Sequence, residues 1–175
     1  MRVKTVRRQG VFVKKSLQLS KDIKLIITDF DGVFTDGTVF IGENGNIFKQ
    51  ISYKDIMGVF LAIKNGYKVA FLSGEKSPAI DYIANKFSIK DVFQDIHNKK
   101  EIVRNLIEQN SLTANEVVYI GDDVNDIESM KQVKYKVAPP NANKAVKFVD
   151  NIQITEAFGG DGAFREVVDS LIQVD

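Results

Sequence analysis

Short apolar runs, each followed at once by small or acidic residues, constrain this chain more than any other feature. Leu25-Ile26-Ile27-Thr28, Val69-Ala70-Phe71-Leu72 and Val117-Val118-Tyr119-Ile120 are three of them, and Tyr135-Lys136-Val137 is a weaker fourth. Apolar runs without alternation are what strands buried on both faces require. Between them lie helical patterns. Met57, Phe60, Leu61 and Ile63 share one helix face that stops at Gly66. Ser77-Pro78 reads as a cap followed by a first-turn proline, and Ile102, Val103, Leu106 and Ile107 mark a helix over 99–109. Strands alternating with helices in this way predict a three-layer, Rossmann-like α/β fold around a mostly parallel sheet.

The alternation breaks once. Segments 38–41 and 46–50 flank Gly42-Glu43-Asn44-Gly45, whose Asn-Gly pair favours a tight turn, so a β-hairpin insertion is expected after the first strand. Further on, Gly159-Gly160-Asp161-Gly162 predicts a flexible joint before a last helix over 163–172. A length of 175 residues suits one domain with a substantial core, here 24–175, preceded by a basic arm over 1–23. In that arm Val11, Phe12 and Val13 form too short a run to span a membrane, and no small-residue cleavage pattern follows.

With 24 basic and 23 acidic residues, no global field favours nucleic acid or an anionic membrane, and an anion would have to be held by local chemistry. There is no cysteine, which rules out disulfides, thiolate metal sites and a cysteine nucleophile and fits a reducing, cytoplasmic compartment. His97 is the single histidine, so any metal would be a hard cation bound by carboxylate oxygens.

In open parallel sheets ligands bind at the carboxyl ends of the strands. There this chain places Asp29-Phe30-Asp31-Gly32, then Ser73-Gly74, then Gly121-Asp122-Asp123-Val124-Asn125-Asp126. Two carboxylates at one strand end can take separate roles, Asp29 as a nucleophile toward phosphorus and Asp31 as general acid and then base. Carboxylates crowded in one crevice repel unless a cation sits among them, and magnesium suits their oxygens. Asp29 and Asp122 are the expected direct ligands, with the Asp31 backbone carbonyl as a third and Asn125 and Asp126 in support. The Ser73 hydroxyl and the open Gly74 amide suit a phosphate oxygen. Lys99, opening its helix, is the expected cation for the developing charge, with Lys100 as its rival.

In that order, these residues resemble the four motifs of the haloacid dehalogenase superfamily of phosphotransferases, over roughly residue 24 to the end. Within it the chain looks like the small branch without a large cap. That branch includes the 3-deoxy-D-manno-octulosonate 8-phosphate (KDO 8-phosphate) phosphatases of lipopolysaccharide synthesis and the related nine-carbon, sialic acid type, ulosonate 9-phosphate phosphatases. The run 31–37 with its hairpin, the segment 54–58 and the tail 159–166 add to the likeness. The resemblance implies a magnesium-dependent phosphatase acting on a sugar-acid phosphate, and a homotetramer in which a neighbour's hairpin and tail close each site. It also implies that Arg165, in the tail, reaches a substrate or a neighbouring site.

Departures bear on the substrate. The eight-carbon enzymes usually carry Thr-Gly-Arg-Lys where this chain has Ser73-Gly74-Glu75-Lys76. An arginine there could pair with the sugar acid's carboxylate, whereas Glu75 repels it and suits an amine, a lysine or hydroxyls, as in the nine-carbon enzymes. Ile56 and Asp95 also stand where glycine is usual in the family. Two other readings differ in class. A response-regulator switch would need an acceptor aspartate after a later strand, which is missing. A non-catalytic assembly domain of this fold, as in some sialic-acid synthetases, would be marked by loss of Asp29, Asp31 or Asp122, and all three are present.

Overall fold

The computed structural model describes residues 17–172. Most of the proposed basic arm, residues 1–16, lies outside them, while Leu17 and Ile23 from its end are buried in the core.

The central sheet has six parallel strands: β1 (Leu25–Thr28), β4 (Lys68–Leu72), β5 (Val92–Phe93), β6 (Val117–Ile120), β7 (Tyr135–Ala138) and β8 (Ile152–Ile154). Their order is β5-β4-β1-β6-β7-β8. The chain steps from β1 to β4 on one side and only later returns to place β6 on the other, so the crevice opens beyond the end of β1.

Alternate residues of the central strands feed opposite cores, as the two-residue period of a strand requires. Ile26, Phe71, Val118 and Ile120 pack under α1 (Tyr53–Lys64), α2 (Pro78–Phe87) and α6 (Ala163–Ile172). Leu25, Ile27, Ala70, Leu72 and Tyr119 pack under α3 (Lys99–Gln109), α4 (Ile127–Met130) and α5 (Lys144–Lys147). This is the expected three-layer arrangement, and the capped start at Ser77-Pro78 is present, with the Ala79 amide donating to the Ser77 hydroxyl at 3.3 Å.

Two strands were not foreseen. β5 and β8 are two and three residues long, lie at the sheet edges and are only partly buried, so neither needs a continuous apolar run. The hairpin is present as β2 (Phe40–Ile41) and β3 (Ile47–Phe48), shorter than its flanking segments, and it pairs only with itself.

The 159–162 segment departs from expectation, because it is clamped against the loop after β1. A Cβ on Gly159 would lie 1.8 Å from the Gly32 carbonyl oxygen, and the Gly160 amide donates to the Val33 carbonyl at 2.9 Å. Glycine serves close backbone approach here. The start of α6 is held from the other side by Asp55 of α1, fully buried, whose carboxylate accepts the amides of Gly162 and Arg165, each at 3.0 Å. It fills the N-cap role from another helix.

Candidate active site

Asp29 stands one residue beyond β1, its amide still on the ladder to the Ile120 carbonyl at 2.8 Å. Its Oδ1 accepts the Phe30 amide at 2.7 Å and its Oδ2 meets the Lys99 ammonium at 2.7 Å. After Phe30 the backbone turns, the Phe34 amide donating to the Phe30 carbonyl at 2.8 Å. This sends Asp31 elsewhere: its Oδ2 pairs with Lys49 at 2.6 Å, and its Oδ1 accepts the Thr35 hydroxyl at 3.3 Å. The Thr35 oxygen in turn accepts the amides of Gly32 at 3.1 Å and Gly37 at 3.2 Å, which fixes the loop.

The loop after β6 is organised around Asp126, which is fully buried. Its Oδ1 accepts from Lys99 at 2.8 Å and from the Tyr119 hydroxyl at 2.7 Å, and its Oδ2 accepts the amides of Asp122 at 3.0 Å and Asp123 at 3.2 Å. Asp122 is thereby brought over Gly32, where a Cβ would lie 1.9 Å from its Oδ2. Gly32, at φ +78°, both takes the left-handed turn and leaves room for that carboxylate. Lys99, almost fully buried, ties the two loops by bridging Asp29 and Asp126.

The electrostatics are those of a site short of positive charge. Burial pushes the Asp29 carboxyl well up, Asp126 adds to that, and Lys99 pulls against both. Burial, then the charges of Asp126 and Asp123, raise Asp122 to about 7. Burial works against the Lys99 ammonium, but Asp29 and Asp126 more than offset it, and its pKa rises. One oxygen from each of Asp29, Asp122 and Asp126 falls within 4.8 Å of the others, a donor set that fits a hard divalent cation. Asp126, however, already accepts four protein donors, whereas no described residue donates to the Asp122 carboxylate. The Asp122 carboxylate is thus open to a cation, while Asp126 holds the loop in place.

A family model of haloacid dehalogenase-like hydrolases matches residues 70–162, over half of the chain. The chain belongs to the haloacid dehalogenase-like hydrolases. As such it is an enzyme of the phosphoric monoester hydrolase class. It is 31% identical over 154 residues to the 3-deoxy-D-manno-octulosonate 8-phosphate phosphatase of Escherichia coli K12, covering 87% of this chain and 81% of that protein. The Haemophilus influenzae phosphatase of the same name is 34% identical over 157 residues, covering 89% and 86%. Among solved structures, that of the Moraxella catarrhalis phosphatase with a magnesium ion, a phosphate ion and a KDO molecule superposes with a TM-score of 0.82 at 27% identity, covering 87% of each chain. The cobalt-bound Haemophilus influenzae enzyme gives 0.81 at 33% identity, covering 87% of this chain and 89% of that one.

In this hydrolase the remaining residues singled out from the sequence fall into two groups. Ser73 is buried beyond β4, its hydroxyl accepting the Glu75 amide at 3.2 Å. A Cβ on Gly74 would lie 3.6 Å from Asn125 Nδ2, so the loops after β4 and β6 meet across the crevice. Glu75 is exposed. Lys100 turns away to Glu128 at 3.6 Å, so that of the two lysines Lys99 is the one that meets Asp29. Arg165 is not among the crevice residues: its Nε pairs with Asp169 at 2.6 Å along α6.

Lys49, Thr35, Tyr119 and Asn141 were not anticipated. Asn141 joins the two clamped segments, accepting the Gly159 amide at 2.8 Å and donating to the Gly32 carbonyl at 3.3 Å. Thr35 had a local signal, standing between acids in a glycine-rich loop, and Tyr119 lies seven residues before its partner, but Lys49 and Asn141 act through contacts distant in sequence.

Proposed function

We propose that this hydrolase is a magnesium-dependent phosphatase of 3-deoxy-2-ulosonic sugar-acid phosphates. The observation that carries the reading is the grouping of Asp29, Lys99, Asp122 and Asp126 in one crevice, with Asp31 two residues beyond the nucleophile. Magnesium, held by Asp29 and Asp122 with the Asp31 backbone carbonyl, would screen repulsion between carboxylate and phosphate dianion.

Asp29 attacks phosphorus through a carboxylate oxygen. The ester P–O bond breaks, its electron pair stays on the ester oxygen, and that oxygen takes a proton from Asp31. Water then attacks the aspartyl phosphate and gives its proton to Asp31, which releases phosphate and restores Asp29. Lys99 holds the nucleophile against Asp126 and presents positive charge to the transferring group, while the Ser73 hydroxyl and Gly74 amide bind a phosphate oxygen.

Two leaving groups are in play. The similar curated phosphatases are named for the eight-carbon KDO 8-phosphate. Glu75, exposed and without an ion pair among the described residues, favours a nine-carbon ulosonate 9-phosphate in this chain, because it repels a carboxylate where an arginine would bind it. A cytoplasmic enzyme working as a homotetramer completes the reading. Phe40, Ile41, Ile47 and Phe48 stand 60–70% exposed on the hairpin, a surface suited to burial against another copy, and Arg165 is offered to a neighbouring site. No described helix is long and apolar enough to cross a membrane.

The test is phosphate release from KDO 8-phosphate, a nine-carbon ulosonate 9-phosphate and simple sugar phosphates, with and without chelator, and mass by light scattering. Chelator-sensitive release with preference for nine carbons is expected. Preference for eight would remove the Glu75 argument and point to lipopolysaccharide synthesis. No chelator-sensitive release from any of them would favour a non-catalytic assembly domain.

A further inference from the structure

The hairpin pairs with no strand of the central sheet, yet it delivers one side chain to the active site. Ile47 and Phe48 of β3 are each 60% exposed, whereas the Lys49 side chain that follows is 11% exposed and ends 2.6 Å from Asp31 Oδ2. A nearly buried ammonium is tolerated only with a partner, and Asp31 is the one ion-pair partner it has among the described residues. The dependence is mutual. Among the described residues the other oxygen of Asp31 has only the Thr35 hydroxyl, at 3.3 Å and shared with two backbone amides, so Lys49 is the stronger of the two restraints on the carboxyl group.

We propose that Lys49 is a positioning residue: its ammonium donates to one oxygen of the Asp31 carboxyl group in either protonation state and so holds the group where its proton can reach the ester oxygen, making the hairpin a working part of the site. The inference rests on the proton role given to Asp31 above. When the P–O bond breaks, the ester oxygen keeps the electron pair and takes the Asp31 proton. A carboxyl group free to swing delivers that proton less often, and a misplacement of about 1 Å at a reacting group can cost on the order of a hundredfold.

Leaving groups separate this from a structural role. An alkyl phosphate expels a basic alkoxide and needs the proton, whereas 4-nitrophenyl phosphate expels a stable phenolate and needs it little. The readout is kcat/KM, which covers the steps up to formation of the aspartyl phosphate. Turnover of the two esters by the unmodified enzyme tests the phosphatase reading by itself. Lys49→Met is expected to lower kcat/KM for the alkyl ester at least about tenfold more than for the aryl ester, with Lys49→Arg recovering most of the difference. In an Asp31→Asn background Lys49→Met should add nothing, because both act through one group. Equal losses on the two esters, or an undiminished loss in the Asp31→Asn background, would overturn the proposal. Lys49→Gln, which keeps a donor on a shorter stem, carries the same comparison if the Met variant fails to fold.

Discussion

On the floor of the crevice, Asp29, Lys99 and Asp126 are bonded to one another and to Tyr119 and backbone amides, almost wholly out of water. At the rim, Glu75 stands in solvent. The floor stabilises one arrangement of charges through partners whose loss would strand a buried ion, so a change there is felt in stability and chemistry together. The rim carries no such coupling. A substitution there leaves the buried charges of the floor in place, so its effects on substrate choice and on stability can be measured separately.

The sharpest way to break that contrast is at Asp29, the proposed nucleophile. Asp29→Asn keeps the volume and removes the attacking charge, and turnover is expected to fall by about four orders of magnitude or more, with the circular dichroism spectrum preserved. Near-normal phosphate release would place the attacking group elsewhere.

Next comes Asp126→Ala, which removes the acceptor for Lys99, Tyr119 and two amides at once. Leaving that set unpaired is expected to cost about 3–5 kcal/mol of folding stability, read from urea denaturation, together with activity. A variant as stable as the parent would show that the floor is less coupled than its geometry implies.

Asp55, buried at the start of α1, extends the contrast to pH. Burial raises its carboxyl from the ordinary 3.8 to about 6, against the amide bonds of Gly162, Phe164 and Arg165 that lower it. The folded protein thus binds more protons than the unfolded chain between those values. The stability this group contributes is fully present below about 3.8 and is lost as pH rises through about 6. Asp55→Asn cannot ionise, so as pH rises from 4 to 7 the parent should lose up to about 3 kcal/mol relative to the variant. Parallel stability curves for the two proteins across that range would discount the buried charge.

What could be read from the sequence follows the same division. The places of Asp29, Asp31, Ser73 and Lys99 in the fold were legible because each sits near the end of an apolar run or at the start of a helix, where position follows from local pattern. Lys99 could be favoured over Lys100 only by placement, and the structure separates them by direction: one inward to Asp29, the other out to Glu128. Lys49 carried no signal, since its partner is reached only when the hairpin folds back over the loop after β1. Asp126 read as a supporting residue, because its four donors converge only in three dimensions. The glycines at 159–162 misled for a physical reason: a flexible joint and a clamped one look alike in sequence, and here Gly159 allows close backbone approach while Gly160 and Gly162 hold φ at +77° and +110°.

The smallest expected effect, and the most informative about the rim, is at Glu75. If this residue meets the leaving group, Glu75→Arg should favour a substrate whose carboxylate it can pair with, through an exposed ion pair that is worth little. The ratio of kcat/KM for the eight-carbon to the nine-carbon phosphate is then expected to rise by about fivefold, corresponding to roughly 1 kcal/mol. Stability should move by less than about 0.5 kcal/mol, since no described residue is bonded to the carboxylate. A shift in that ratio without a shift in stability is the behaviour of a rim residue. An unchanged ratio would move substrate choice to another part of the entrance, and an equal fall for both substrates would mean that Glu75 supports the floor after all.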